Sequence, residues 1–255
     1  MRDLGAGLRL ALTTFTVAPV RPGRVDRAAA GVAMSLGPVI GAALGLVLAG
    51  AGLGLRWLGA PPLVAAAVLV GLGVLLTRGL HVDGLADTVD GLGSYRDAAG
   101  TLEIMKKPDV GPFGVAAIVL ALLVPTVSAA TLLTRPVPAA IAGVVSATAA
   151  GRLAVAWTCR RGVPAARSDG LGAVVAGTVG WFSLAAGAAL VALVAVPAAP
   201  GRPWQGPLAV AVALAAGLLF VRHVVRRIGG ITGDVLGAVV ELVTSVAYVG
   251  LALSS

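Results

Sequence analysis

Three aspartates stand out as residues able to do chemistry. Asp83, Asp87 and Asp90 lie in the segment Gly79-Leu80-His81-Val82-Asp83-Gly84-Leu85-Ala86-Asp87-Thr88-Val89-Asp90-Gly91-Leu92-Gly93. On a helix, their i, i+4, i+7 spacing places all three on one face. Like charges stacked in this way repel, and at a membrane span burial adds about 2.5–3.5 kcal/mol for a central Asp. A divalent cation would offset that repulsion. Hard Mg²⁺, or Mn²⁺ in its place, takes carboxylate oxygens and keeps positions open for water and substrate phosphate. Gly84 and Gly91 clear side chains from beside the acids, so a bulky phosphorylated substrate could approach the backbone. The competing reading is a solvated acidic loop that caps a helix. A metal-bound aspartate face suits phosphoryl transfer from a diphosphate donor, where catalysis is positioning plus charge neutralisation. Asp83 and Asp87 are then the leading metal ligands. Asp90 is a further ligand or the base that accepts a hydroxyl proton. His81 is the alternative base, or a hydrogen-bonded residue that positions the cluster.

The elements that must hold these acids are membrane helices. Hydrophobic residues make up 58% of the 255 residues and charged residues only 12%, against about 25% in soluble domains. A mean hydropathy of +0.99 agrees. Such a chain cannot clothe a water-exposed surface. The 11 acids are unevenly placed: Asp83, Asp87, Asp90, Asp97, Glu103 and Asp109 put six of them within 27 residues. The single cysteine excludes an intrachain disulfide and a cysteine zinc site. The net charge of +8 comes from bases scattered through short loops, a pattern of membrane orientation rather than of nucleic-acid binding.

A hydrocarbon core of about 30 Å needs roughly 20 apolar residues per helix. Seven stretches qualify, at about 32–55, 62–80, 113–134, 137–158, 173–199, 206–223 and 235–253. Residues 4–20 form a shorter apolar run carrying Arg9. No small-x-small cleavage site follows it and Pro19 intervenes, so it reads as an interfacial or re-entrant helix rather than a signal peptide. The expected fold is all-α: a polytopic helical membrane bundle of about seven spans in one domain over residues 1–255. Glycine pairs at small-xxx-small spacing, Gly41/Gly45 and Gly50/Gly54, carry little weight among 36 glycines. Bases concentrate on every second loop: Arg21, Arg24 and Arg27; Arg96, Lys106 and Lys107; Arg160, Arg161 and Arg167; Arg222, Arg226 and Arg227. The positive-inside rule places those loops, and the acid-rich segment with them, in the cytoplasm, with the N-terminus inside and the C-terminus outside.

A second motif lies near the C-terminus, Arg226-Arg227-Ile228-Gly229-Gly230-Ile231-Thr232-Gly233-Asp234, with Glu241 beyond it. Gly229, Gly230 and Gly233 leave backbone N–H groups accessible, and a helix is expected from about Asp234, itself a good N-cap. A glycine turn feeding a helix N-terminus can cradle phosphate, with Thr232 inside the turn. Glu241 falls two turns on, on the face of Asp234, and an ionisable group at that depth is a functional candidate. It is assigned to the metal site with Asp83, Asp87 and Asp90. Arg226 and Arg227 are phosphate contacts or orientation anchors. Lys106 lies on a short helix expected over Thr101–Lys107 and is a further phosphate contact. Arg152 lies well inside the fourth span, where an unpaired cation is costly, and must pair with an acid or a substrate phosphate.

Three stretches together resemble the cobalamin synthase family, adenosylcobinamide-GDP ribazoletransferase. The first joins His81-Val82-Asp83-Gly84-Leu85-Ala86-Asp87-Thr88 to Leu92-Gly93-Ser94-Tyr95-Arg96-Asp97, Leu102-Glu103-Ile104-Met105-Lys106 and Val110-Gly111-Pro112-Phe113-Gly114. The second is the C-terminal motif through Ala238 and Glu241. The third, less specific, runs from Gly151-Arg152-Leu153-Ala154 through Pro164 and Arg167 to Gly170-Leu171-Gly172. Pro164-Ala165-Ala166-Arg167 lacks the tyrosine the family often carries there. The resemblance implies a late step of cobalamin assembly. Adenosylcobinamide-GDP passes its cobinamide phosphoryl group to α-ribazole or α-ribazole 5′-phosphate, GMP leaves, and Mg²⁺ is the cofactor. It also implies a bacterial inner-membrane protein with a cytoplasmic site; a homo-oligomer is compatible with it. Asp234 and Glu241 then complete the metal site or bind the corrinoid's amide side chains. The alternatives are a CDP-alcohol phosphotransferase, whose aspartate motif is loosely similar, and an ion-coupled transporter, whose acids would lie nearer mid-membrane.

Overall fold

The computed structural model describes residues 2–21 and 23–253. In chain order the helices are α1 (Arg2–Phe15), α2 (Arg27–Trp57), α3 (Pro62–Leu76), α4 (Leu80–Gly93), α5 (Ala98–Ile104), α6 (Pro112–Leu132), α7 (Val137–Thr158), α8 (Gly170–Val175), α9 (Trp181–Ala195, continued by a 3₁₀ turn), α10 (Gln205–Ile228) and α11 (Gly233–Ala252). No strand occurs among the described residues, so the all-α expectation holds. Six helices are long and apolar enough to cross a membrane, and the bent pair α3–α4 makes a seventh if counted as one span.

Two of the expected spans differ in detail. The stretch 62–80 is not one helix. Arg78 and Gly79 adopt positive φ (57° and 67°), and α4 leaves the axis of α3 at 86°. With 15 residues, α3 covers only about 22 Å. The stretch 173–199 starts later, because Gly170 and Gly177 also take positive φ and only Trp181 begins the long helix. The N-terminal segment forms the 14-residue α1, about 21 Å long and short of a bilayer core. It buries Leu10, Ala11 and Phe15 and exposes Leu4 and Leu8.

The bundle is organised around α7, nearly all of which is buried. Its Ala, Gly, Ser and Thr side chains allow backbones to approach closely, the usual basis of helix association where lipid is as apolar as the protein. Against it, α2 presents Gly41 and Gly45. A Cβ on Gly41 would stand 2.9 Å from Ala149 Cα, and one on Gly45 2.7 Å from Val145 Cα. Gly50 and Gly54 meet nothing within 4 Å. One glycine pair is therefore a real contact and the other a coincidence of spacing. Gly41→Leu is expected to destabilise the detergent-solubilised protein by at least the ~1–3 kcal/mol typical of overpacking. Gly50→Leu should stay within about 0.5 kcal/mol. Thermal unfolding of the two variants side by side checks this.

The base-bearing loops gather at one end of the bundle. Arg27 Nη2 donates to Ala176 O (2.8 Å), Arg167 Nη2 to Leu102 O (2.7 Å) and Arg227 Nη2 to Arg96 O (3.1 Å). At the other end Arg135 Nη1 donates to Ala198 O (2.8 Å), and Gln205 Nε2 donates to Leu253 O (2.7 Å) near the end of α11. The helical ends carrying the aspartates belong to the first of these.

Candidate functional site

The site is assembled where α4 crosses the start of α11. A Cβ on Gly84 would lie 2.7 Å from Asp234 O, and one on Gly237 2.9 Å from His81 O, so the two helices meet backbone to backbone. That approach brings Asp83 of α4 and Asp234 of α11 to one pocket of about 270 Å³. Arg167 and Asp169, from the loop before α8, and Gly170 at the start of α8 line it too. This loop is tied to the C-terminal motif like a short piece of sheet, Ala166 N donating to Ile231 O (2.9 Å) and Ile231 N to Pro164 O (3.0 Å). Arg167 Nη1 then stands 3.8 Å from Asp234 Oδ2.

The N-cap of α11 is Thr232 rather than Asp234, so the helix begins a residue earlier than expected. Thr232 Oγ1 accepts from Val235 N (3.3 Å) and donates to Asp234 Oδ2 (3.1 Å). Asp234 is thereby free of capping and turned to the pocket. Gly229 ends α10 in the left-handed conformation (φ 81°), and Gly230 is pressed against the Ala165–Ala166 peptide, where no side chain fits. Thr232 and Gly233 line the pocket at the positive end of the α11 dipole.

On α4 the three aspartates do share a helix, but not a fate. Half-buried Asp87 feels the charges of Asp83, Asp234 and Asp90, with Arg167 as the opposing cation. Asp90 is turned to the start of α6, where its Oδ2 accepts from Gly111 N (2.7 Å) and its Oδ1 from Gly114 N (2.8 Å). Both oxygens thus satisfy amides of a helix N-terminus that have no intrahelical acceptor. His81 points away from the pocket. It is buried, stacks on Phe15 (ring centroids 6.2 Å apart), and its Nδ1 has no hydrogen-bond partner among the described residues.

Other expected site residues are not brought here. Glu241 lies on α11, but seven residues correspond to about 10 Å of helix. It faces a separate cavity with Arg152, Thr244 and Tyr248. Lys106 is exposed just after α5, which spans Ala98–Ile104 rather than 101–107 and is capped by Asp97 accepting from Gly100 N (2.9 Å). Arg227 braces the loop after α4. Arg226 lines a groove between α7 and α10. Conversely, Asp169 was missed from the sequence, and Arg167 was read as an orientation charge. Both lie within the third motif, which local spacing could not connect to α4.

The oxygen-only donor set of Asp83, Asp87 and Asp234 suits a hard cation. No three acid, histidine or cysteine side chains among the described residues already form a metal cage.

Fold and pocket together define a multi-pass helical membrane protein with a carboxylate- and arginine-lined site at one end. Comparison with known proteins narrows this. The cobalamin-5-phosphate synthase family matches residues 7–252, so the chain belongs to that family. It is 38% identical to the adenosylcobinamide-GDP ribazoletransferase of Frankia casuarinae, covering 96% of this chain and 94% of that one. The protein of the same name from Nocardioides sp. is 40% identical, covering 95% of each. The one from Stutzerimonas stutzeri is 38% identical over 96% and 97%. No solved structure matches the chain.

Proposed function

We propose that the chain is a membrane transferase that joins adenosylcobinamide-GDP to α-ribazole or its 5′-phosphate and releases GMP, with Mg²⁺ as cofactor. The observation that carries this reading is the convergence of Asp83, Asp234 and Arg167 on one pocket, in a chain aligned along nearly its whole length with relatives of that name. The reaction forms a bond from the ribose hydroxyl oxygen of α-ribazole to the cobinamide-side phosphorus. The bond from that phosphorus to the bridging oxygen breaks, and GMP leaves with the oxygen.

Asp83, Asp87 and Asp234 are the residues that would hold Mg²⁺, which supplies charge neutralisation on the diphosphate. Arg167 meets the same charge from the opposite wall, already oriented by Leu102 O. The amides of Gly233 and Asp234 open the α11 helix toward phosphate. Asp169 lines the pocket outside the ligand group and is assigned the hydroxyl proton. Asp90 acts by holding α6 against α4. The purified protein in lipid, given adenosylcobinamide-GDP, α-ribazole and Mg²⁺, should yield GMP and a corrinoid product. Folded protein that yields neither would overturn the reading.

The pocket is assigned to the cytoplasmic side of a bacterial inner membrane, on the strength of the base-rich loops around it. The only native cysteine, Cys159, is fully buried, so a single introduced thiol reports cleanly. Lys107→Cys, exposed beside α5, should be labelled by a membrane-impermeant maleimide only from the cytoplasmic side. Labelling from outside would invert the topology.

A further inference from the structure

We propose that the groove between α7 and α10 binds one anionic phospholipid. The groove encloses about 610 Å³ on the bundle's flank and shares no lining residue with the aspartate pocket. Its chemistry changes along its length. On α10, Leu218 forms the apolar wall, and Arg222 and Arg226 follow at one-turn intervals on the same face. Across the groove, the end of α7 supplies Trp157 and the turn just after it supplies Arg160. An acyl chain fits beside Leu218, and a phosphate fits one to two turns further, where the helices reach the base-rich end of the bundle.

Two observations favour an anionic headgroup over a zwitterionic one. Arg160, Arg222 and Arg226 have no acidic side chain within ion-pair distance among the described residues, where the ion pairs all involve Arg24 or Arg167. No protein carboxylate competes for these three charges, of which Arg222 and Arg226 are exposed, and basic pockets between helices at the cytoplasmic face recognise such headgroups. The mouth is also built to receive oxygen. Arg160 is held there by Nη1 donating to Trp157 O at 2.9 Å, which leaves its other guanidinium N–H groups for a ligand oxygen. The apolar length beyond the arginines is what a free phosphate would leave unused.

Native mass spectrometry of the full chain tests this, using added phosphatidylglycerol and phosphatidylcholine of identical acyl chains. One phosphatidylglycerol should be retained in preference. That preference should weaken by roughly fivefold for each arginine removed in the series R160Q, R222Q and R226Q. Leu218→Trp fills the apolar end without changing charge, and should release the lipid even if the triple arginine variant fails to fold. Millimolar inorganic phosphate should not displace it. Equal retention of both lipids, or unchanged retention in Leu218→Trp, would overturn the proposal. Displacement by phosphate would make the mouth an oxyanion site and overturn it equally.

Discussion

Asp87→Asn is expected to lower turnover by roughly 10²–10³-fold while leaving the protein folded and inserted. The substitution keeps shape and removes one charge. In the free protein Asp87 faces the like charges of Asp83, Asp90 and Asp234, so neutralising it relieves repulsion and should not lower the unfolding temperature without metal. The proposed role predicts a second, independent signature. A cation bound only by the folded state raises stability by RT ln(1 + [L]/Kd), so Mg²⁺ should raise the unfolding temperature of the parent protein and much less that of the variant. Asp90→Asn should give the converse pattern. It weakens charge-assisted bonds to Gly111 N and Gly114 N, so stability falls by about 1–2 kcal/mol while the response to Mg²⁺ persists. Near-normal turnover in Asp87→Asn would remove it from the site, and an unchanged Mg²⁺ response would remove it from the metal.

The contrast between these two aspartates shows how far local spacing could reach. Periodicity of i, i+4, i+7 was enough to place Asp83, Asp87 and Asp90 on one helix and broadly on one face. It could not reveal that the start of α6 would claim the third, because Gly111 and Gly114 become its partners only after a 20-residue excursion. Composition alone made the membrane class legible, and six long helices follow it closely. The break at Arg78–Gly79 was hidden because hydropathy is blind to φ, and an apolar run reads the same whether straight or bent by 86°. Arg167 and Asp169 were hidden for a third reason. Their place in the pocket depends on the pairing of Pro164–Ala166 with Ile231, two loops more than 60 residues apart that carry no periodic signal. Glu241 shows the same blindness to depth: a shared helix face with Asp234 is not a shared site.

Arg152→Leu is expected to be among the most destabilising single changes in the protein, and Glu241→Leu nearly as severe. Arg152 lies mid-helix in α7, only 5% exposed, and Glu241 faces it from α11 across a cavity of about 60 Å³. The cavity is large enough for water to bridge the two charges, and Thr244 Oγ1, Tyr248 OH and Arg152 Nε all lack protein partners there among the described residues. Arg152 and Glu241 are not within direct ion-pair distance and Glu241 is half-buried, so removing one member should cost up to about 3–5 kcal/mol, the range for a buried, directly bonded pair. Replacing both by apolar residues removes the desolvation cost along with the attraction, so Arg152→Leu/Glu241→Leu should recover most of that loss. A double-mutant cycle on unfolding free energies measures the coupling directly. Turnover separates the remaining assignments. If the pair serves only to lock α7 against α11, the double variant should regain activity together with stability. If Arg152 meets substrate phosphate or Glu241 meets metal, the double variant should be stable and inactive. Strictly additive single losses would mean that the two charges do not interact across the cavity at all.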